Sequence, residues 1–311
     1  MLVFRRVPER AAGPTVLTIG NFDGVHRGHK ALLARLVAEA QRLRLPASLL
    51  TFEPHPRDFF SPNDAPARLT SLREKIELIA ECGVDRLYIC RFNAAFAAHS
   101  AQEFVQTILV DGLATKHLII GDDFRFGRGR AGDFAMLAEA GRQHGFSAEA
   151  LPTIEWKGER VSSSAVRDSL EAGSMEHAAR LLGRPYNIAG RVVGGDKLGR
   201  QLGFPTANVQ LKRKRLPLVG VFTVTVSGVA ALPWPGAASL GVRPTVADGL
   251  QPALEVFLLD YQGSLYGTHV SVEFLHKLRD QAKFESLDAL KAQIALDVKA
   301  TRTYFASKKN G

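Results

Sequence analysis

The sequence is short of cysteine. Its 311 residues include two, Cys82 and Cys90, which form neither a metal-ligand spacing nor a disulfide framework. That excludes a cystine-stapled secreted scaffold and fits a reducing cytoplasm, with both residues read as partly buried thiols. Long apolar runs are missing as well. The opening MLVFRRVPERAAGPT has no apolar segment before a small-residue cleavage site, so no secretory signal is expected. One uncharged run, Val219 to Val242, reaches membrane length, but it contains Pro233, Pro235 and several glycines. Its alternation Phe222-Thr223-Val224-Thr225-Val226 predicts strands and turns in place of a spanning helix. Internal repeats and low-complexity segments are absent too.

What is present is the composition of an ordinary globular chain, 46% hydrophobic and 23% charged. The length predicts about two domains of roughly 150 residues each. The formal charge of +9 and the pI near 9.7 call for an anionic partner: nucleic acid, acidic lipid or a phosphorylated metabolite. Lys212-Arg213-Lys214-Arg215 is the one compact basic cluster, read as a solvated loop.

The first part of the chain alternates strand and helix signals. Strands are expected at Thr15–Gly20, Ala47–Phe52, Arg86–Cys90 and His117–Ile120. Helices are expected at Ser71–Ala80, Gln102–Val110 and Asp133–Gln143. Such alternation predicts a parallel sheet with crossover helices. Short helical patches follow near Ala165–Leu170 and Glu176–Leu182, and then the texture changes. Gly183-Arg184-Pro185 punctuates the chain, and the stretch up to about Phe274 is glycine-rich and alternating, an antiparallel barrel or sandwich. The domain boundary is therefore expected near residue 184, giving 1–183 and 184–311. A final helix is expected after an N-cap at Ser286, with Leu287, Leu290, Ile294, Val298 and Phe305 on one face.

The stretch GNFDGVHRGHKALLARL, Gly20 to Leu36, sits where a strand becomes a helix, the place where open α/β sheets put ligands. Three readings of His26 and His29 compete. A zinc site would need a third ligand, and HExxH is absent. Polar side chains could simply satisfy a helix start. The third reading is anion binding. A helix N-terminus attracts phosphate, Gly28 lets a ligand approach the backbone, and two imidazoles can meet oxygens as charge moves onto leaving pyrophosphate. Further along, Gly121-Asp122-Asp123 leads into Arg125, Gly127, Arg128, Gly129 and Arg130. That is flexible backbone with three guanidinium groups, suited to an anion or to an exposed basic loop. Ser162, Ser163 and Ser164 precede Arg167 in what reads locally as an N-cap.

Four strings occur in the order of one known family: Gly20 to His29, Thr51-Phe52-Glu53-Pro54-His55-Pro56, Gly121 to Gly127, and Val161 to Arg167. His26-Arg27-Gly28-His29 is similar to the HxGH motif of the nucleotidyltransferase superfamily. The whole chain resembles the bacterial bifunctional riboflavin kinase/FAD synthetase family. The resemblance implies an N-terminal Rossmann-like nucleotidyltransferase domain (FMN adenylyltransferase) and a C-terminal flavokinase antiparallel β-barrel with a terminal helix. It implies that His26 and His29 are catalytic. Gly20, Asn21, Phe22, Asp23, Gly28, Asp123, Phe124 and Arg125 would bind ATP or flavin, while Ser162, Ser163, Ser164 and Arg167 would hold ATP phosphates.

The second half carries the string GRVVGGDKLGRQLGFPTANV, Gly190 to Val209, with four glycines between Gly194 and Gly203. It is not a Walker loop, because Arg200-Gln201 follows Gly199 where Lys-Ser/Thr is required. Pro205-Thr206-Ala207-Asn208 resembles the PTAN motif of flavokinases, which implies that Thr206 and Asn208 hold magnesium bridging ATP phosphates. Oxygen ligands suit that hard ion. Gly194, Lys197, Gly199, Arg243 and Arg279 join the implied binding set.

Glu255, alone among Leu254, Val256 and Phe257, is read as a general base or as an outward strand position. Chemistry separates the halves. Riboflavin must lose a hydroxyl proton in attacking ATP, so a carboxylate helps there. FMN brings a phosphate already ionised and needs positioning and charge stabilisation. One departure stands out: Phe257 occupies a position where the family is expected to have histidine.

The expected function is therefore phosphorylation of riboflavin to FMN and adenylylation of FMN to FAD. ATP is the co-substrate, Mg2+ the cofactor and pyrophosphate the released product. The alternatives are the same architecture with one activity lost, or a basic nucleic-acid-binding module, which would want aromatic platforms along a basic groove. The expected partners are small molecules in the cytoplasm, with no nucleic acid and no membrane; oligomeric state is left open.

Overall fold

The computed structural model describes residues 1–195, 198–245 and 249–309. The chain divides into two compact units: Met1–Pro66 with Leu72–Ser162, and Ala67–Ser71 with Ser163–Gly311.

The first unit is a three-layer parallel sheet. Its strands are β1 (Leu2–Phe4), β2 (Thr15–Ile19), β3 (Ala47–Glu53), β4 (Arg86–Arg91), β5 (Thr115–Gly121) and β6 (Ser147–Leu151), in the spatial order β1-β4-β3-β2-β5-β6. All five pairings are parallel. Every residue of β2 is buried, as a strand covered on both faces requires. Its side chains alternate between the two layers. Val16 joins Leu49, Leu87 and Ile119 on one face, whereas Leu17 and Ile19 join Leu50, Tyr88 and Leu118 on the other. The first face is covered by α1 (Arg27–Leu43), through Leu33, Leu36 and Ala40, and by Ile79.

Five further helices belong here: α2 (Pro56–Phe60), α3 (Leu72–Glu81), α4 (Ala94–Ala97), α5 (Ala101–Phe104) and α6 (Phe134–His144). The expected helix over Gln102–Val110 is present, but after α5 it continues as a π-helix, Val105–Gly112. β1 and β6 were not expected. β6 reads Ser-Ala-Glu-Ala-Leu, a composition of low β-propensity, and β1 is three residues at the sheet edge. A two-stranded ribbon, β7 (Glu155–Trp156) with β8 (Glu159–Arg160), completes the unit.

The second unit is a closed six-stranded antiparallel barrel. Its strands are β9 (Tyr186–Val193), β10 (Thr206–Val209), β11 (Gly220–Ser227), β12 (Trp234–Thr245), β13 (Gly249–Leu258) and β14 (His269–Arg279), in the closed order β10-β13-β12-β11-β14-β9. The uncharged run Val219–Val242 is thus a hairpin of β11 and β12. No described helix is long and apolar enough to cross a membrane. Closure decides between the two expected β architectures, and the core is the inner row that includes Ile188, Val209, Phe222, Val224, Leu240, Leu254, Val256 and Val272.

Two helices, α7 (Ser163–Glu171) and α8 (Met175–Leu182), pack with this unit, α8 against β9 and β14. The compact units therefore part at Ser162/Ser163, upstream of the texture change near 184, because Ala178, Leu181 and Leu182 are buried. After the short α9 (Leu198–Gln201), the last element is α10 (Leu287–Lys309). Ser286 caps it, its Oγ accepting from the Ala289 N–H at 3.1 Å. The expected apolar face is only half realised. Leu287 is 58% exposed, while the deepest positions are Asp297 and Thr301, at 7% and 0%. Asp297 is buried because the Arg279 guanidinium grips it through Nε and Nη2 at 2.9 and 2.7 Å.

Candidate active sites

The strand order of the first unit reverses at β2, between β3 and β5. Open parallel sheets bind ligands in the crevice at the carboxyl ends of such strands. The two glycine-containing loops picked from the sequence leave β2 and β5 at that edge. Gly20 is anchored by its N–H to Leu50 O, and the Asn21 carbonyl accepts from Thr51 Oγ1. Phe22 and Val25 then hold positive φ values of 49° and 42°, a costly conformation for bulky residues. Both are fully packed, as is Asp23, so the turn is held by its surroundings.

That turn delivers the two histidines. His26 is the N-cap of α1, and its Nδ1 accepts the His29 N–H at 3.3 Å. In the neutral ring the proton therefore sits on Nε2. The two imidazoles stack with centroids 3.6 Å apart at 17°, and Phe22 lies 4.8 Å from His29. A Cβ on residue 28 would meet the His26 ring at 3.2 Å, so glycine is what lets this stack form. Burial, with the neighbouring His26 and Lys75, holds the His29 pKa well below the usual imidazole range, so His29 is neutral at pH 7. Its Nδ1 and the Oδ1 of Asn21 are shielded from solvent and have no hydrogen-bond partner among the described residues.

The loop after β5 is a second polar wall. Asp122 accepts from the Thr153 N–H and Oγ1, both at 3.0 Å; the backbone donor first, and then the hydroxyl, keep its pKa below the usual carboxylate value. Asp123 pairs with Arg160 at 2.7 Å, Phe124 stacks on Phe126 at 5.9 Å, and Arg125, Arg128 and Arg130 are exposed.

Two features were not found in the sequence. Phe59, Phe60 and Phe92 form a triangle of rings with centroids 5.2 to 5.6 Å apart, resting on Phe52 and Phe96. Phe60 is 65% exposed, at the end of the segment that follows Thr51–Pro56. The unusual count of 18 phenylalanines was the available signal. The other feature is Lys75, 1% exposed on α3. Its position among Leu72, Ile76 and Ile79 on one helical face marks it as a buried cation.

Between the units' sequences, Ser162 ends the first, and Ser163 and Ser164 form the opening turn of α7 in the second. Arg167 projects from α7, and its Nε donates to Ala67 O at 2.6 Å.

In the barrel, strand register assembles the group. Asn208 on β10 lies directly opposite Glu255 on β13, and Thr206 opposite Phe257. Leu254, Val256 and Leu258 point inward, so Glu255, Phe257, Thr206 and Asn208 share the outer face. Phe257, the departure from the family pattern, stands edge-on to Phe204 at 5.5 Å. The glycine loop fits closely over these residues. A Cβ at Gly195 would collide with the Asn208 amide, and one at Gly199 would lie 3.1 Å from Thr206 Oγ1; Gly194 faces open space.

Other expected residues fall elsewhere. Lys197 lies outside the described residues. Arg243 lies on β12 in register with Gln251. Arg279 belongs to the Asp297 pair that docks α10. An apolar hollow of about 440 Å³ between β14 and α10, lined in part by His276, Leu278, Leu296 and Tyr304, is separate from this face, because β14 does not neighbour β13.

Known proteins share both sites' frames. Residues 9–165 match the FAD synthetase family and residues 182–305 the riboflavin kinase family. The bifunctional riboflavin kinase/FMN adenylyltransferase of Pseudomonas fluorescens is 53% identical over 291 residues, 94% of this chain and 93% of its own length. That of Escherichia coli is 51% identical over 294 residues, 94% of each. A solved structure described as a macrolide-efflux protein from Streptococcus pneumoniae is 29% identical with a TM-score of 0.83, covering 97% of this chain and 98% of that one. With both halves matched, and relatives of this identity spanning nearly its whole length, the chain belongs to the bifunctional riboflavin kinase/FMN adenylyltransferase family.

Proposed function

We propose that residues 184–311 phosphorylate riboflavin to FMN and that residues 1–183 transfer AMP from ATP to FMN, each through the residues brought together above. The observation that carries the reading is the register pair Asn208–Glu255, which sets a carboxylate beside the PTAN oxygens on one face of the barrel. Glu255 takes the proton of the riboflavin 5′-hydroxyl as that oxygen bonds to the γ-phosphorus of ATP and ADP leaves. Gly194, Lys197, Gly199 and Arg243 complete the ATP side in this reading, and Arg279 contributes by holding α10 against β14.

Thr206 Oγ1 and the Asn208 amide oxygen fit magnesium. They are hard oxygen donors seated under the close backbone of Gly195 and Gly199. A magnesium ion held there would take its remaining ligands from water and phosphate, as that ion prefers. When bound, magnesium neutralises phosphate charge.

In the first unit, an FMN phosphate oxygen bonds to the α-phosphorus of ATP and pyrophosphate leaves. His26 donates from Nε2, and His29 and the first N–H groups of α1 add donors as charge accumulates. Gly20, Asn21, Phe22, Asp23 and Gly28 shape that cradle. Asp123, Phe124 and Arg125, on the loop after β5, and Ser162 join the binding set in this reading. The exposed rings of Phe59 and Phe60, backed by half-buried Phe92, offer a stacking surface for the flavin.

We place the enzyme in the cytoplasm without a nucleic-acid partner. One member of the basic run is withdrawn from the surface: Arg213 is 7% exposed, its Nη1 donating to Tyr186 Oη at 2.5 Å, while Lys212, Lys214 and Arg215 are exposed.

The test is incubation with riboflavin, ATP and magnesium, with FMN and FAD separated by chromatography. A fragment that begins at Ser163, and so keeps α7 and α8, is expected to make FMN and no FAD. FAD from that fragment overturns the assignment.

A further inference from the structure

Glu255 has a register partner on each side of it. Asn208 stands opposite on β10, and Ser239 stands opposite on β12. Directly opposed antiparallel residues bring their Cβ atoms to about 4.5–5.5 Å, so Asn208, Glu255 and Ser239 form one row across three strands. Beyond that row the chain returns. Gln281, two residues past the end of β14, reaches β12 and donates from Nε2 to Ser239 Oγ at 3.2 Å. The Gln281 amide rests on Gly241, where a Cβ would collide with it. This is a seated contact, because a buried glycine on β12 leaves the space that the amide fills.

Hydrogen-bond capacity gives the contact a direction. A serine hydroxyl has one proton and two lone pairs, and an ionised carboxylate only accepts. With Gln281 donating into the Ser239 oxygen, the Ser239 proton is available to the carboxylate beside it in the row.

We propose that Gln281 and Ser239 are positioning residues of the phosphoryl-transfer site: Gln281, seated on Gly241, fixes the Ser239 hydroxyl, and Ser239 aims the Glu255 carboxylate at the riboflavin 5′-hydroxyl. The proposal rests on the reading of Glu255 as the base. A residue that acts by orientation is felt in the transition state, so its loss lowers kcat and leaves the KM for ATP unchanged.

The experiment compares Gln281→Ala, Ser239→Ala, Ser239→Thr, Gly241→Ala and Glu255→Gln in the full chain, measuring FMN formation at varied ATP and, separately, FAD formation from supplied FMN. Gln281→Ala and Ser239→Ala should each lower kcat for FMN formation roughly tenfold, with KM for ATP and FAD formation at parent values. Gly241→Ala should match Gln281→Ala, since its methyl pushes the amide off its seat while the glutamine remains. The double variant Ser239→Ala/Gln281→Ala should be no slower than Ser239→Ala, because the two act in series. Ser239→Thr keeps the hydroxyl and should retain more of kcat than Ser239→Ala. Parent kcat in Gln281→Ala and Ser239→Ala, with Glu255→Gln inactive, overturns the clamp and leaves the base standing. Parent kcat in Glu255→Gln overturns the base, and the clamp with it. An equal fall in FMN and FAD formation also overturns the clamp, because it marks a general loss of folding.

Discussion

The two halves build their sites by different means. In the parallel-sheet unit the key groups are close in sequence: His26 and His29 are three residues apart, and one turn after β2 delivers them to the same edge of the sheet. In the barrel they are far apart: Asn208, Ser239 and Glu255 come from three strands, and pairing register alone makes them neighbours. The first kind of site is held by the packing around Phe22 and Val25, which keeps their costly backbone conformation in place. The second depends on the whole barrel closing in one register, because a one-residue slip moves Glu255 to the inner face.

The sharpest way to break this contrast is Glu255→Gln. It keeps size and hydrogen-bonding reach but removes the basic oxygen, so FMN formation should fall by roughly 10²–10⁴-fold, the usual contribution of a positioned base. FAD formation from supplied FMN should continue at near-parent rate. Assaying the two steps separately checks this, and unchanged riboflavin turnover makes the acid structural.

Next in size is His29→Ala. FAD formation should drop by roughly 10²-fold or more, as for loss of one transition-state donor, while riboflavin phosphorylation is spared. Equal damage to both steps would mean that the α1 start is only scaffold.

Thr206→Ala is milder and differs in kind. Removing one oxygen weakens metal and ATP binding, so a magnesium titration should recover part of the FMN rate. The same titration should do nothing for Glu255→Gln. If magnesium rescues neither variant, Thr206 is not a ligand.

The smallest effect concerns stability and lies in the first unit alone. Glu39 is buried on α1, and hydrogen bonds from Arg42, and then Arg35, bring its pKa down to about 2 from 4.5. A carboxyl depressed in the folded state stabilises above its unfolded pKa, and that stabilisation is lost as pH falls from about 4.5 toward 2. Urea midpoints measured across that window should fall, and Arg42→Ala should flatten the fall. His29, held neutral by burial, works in the same direction at higher pH: protonation is resisted in the folded state, so acidification below its unfolded value favours unfolding.

Much of this was legible in the residues. Alternating strand and helix signals marked the parallel sheet, because crossover connections impose them, and Ser286 marked the start of α10. The HxGH and PTAN strings identified both chemistries, since each packs its groups into a few consecutive positions. The edge strands β1 and β6 were not legible, being short or built from Ala, Ser and Glu. The phenylalanine triangle was not legible either, as its rings come from the short helix α2 and from the residue that follows β4.

By itself the sequence determined two domains of different class, the strand-to-helix turn that carries His26 and His29, and the family to which each half belongs. Only the tertiary structure decided where the cations go and which distant residues share a face. Arg213 and Arg279 look in sequence like other members of a basic chain, yet one is buried against Tyr186 and the other, half-buried, is paired with buried Asp297. A guanidinium removed from water needs a partner with matching acceptors, and the fold decides which one arrives. Asn208, Glu255 and Ser239 likewise become one row only when the barrel closes, because side-chain facing follows from strand register, which no single segment carries.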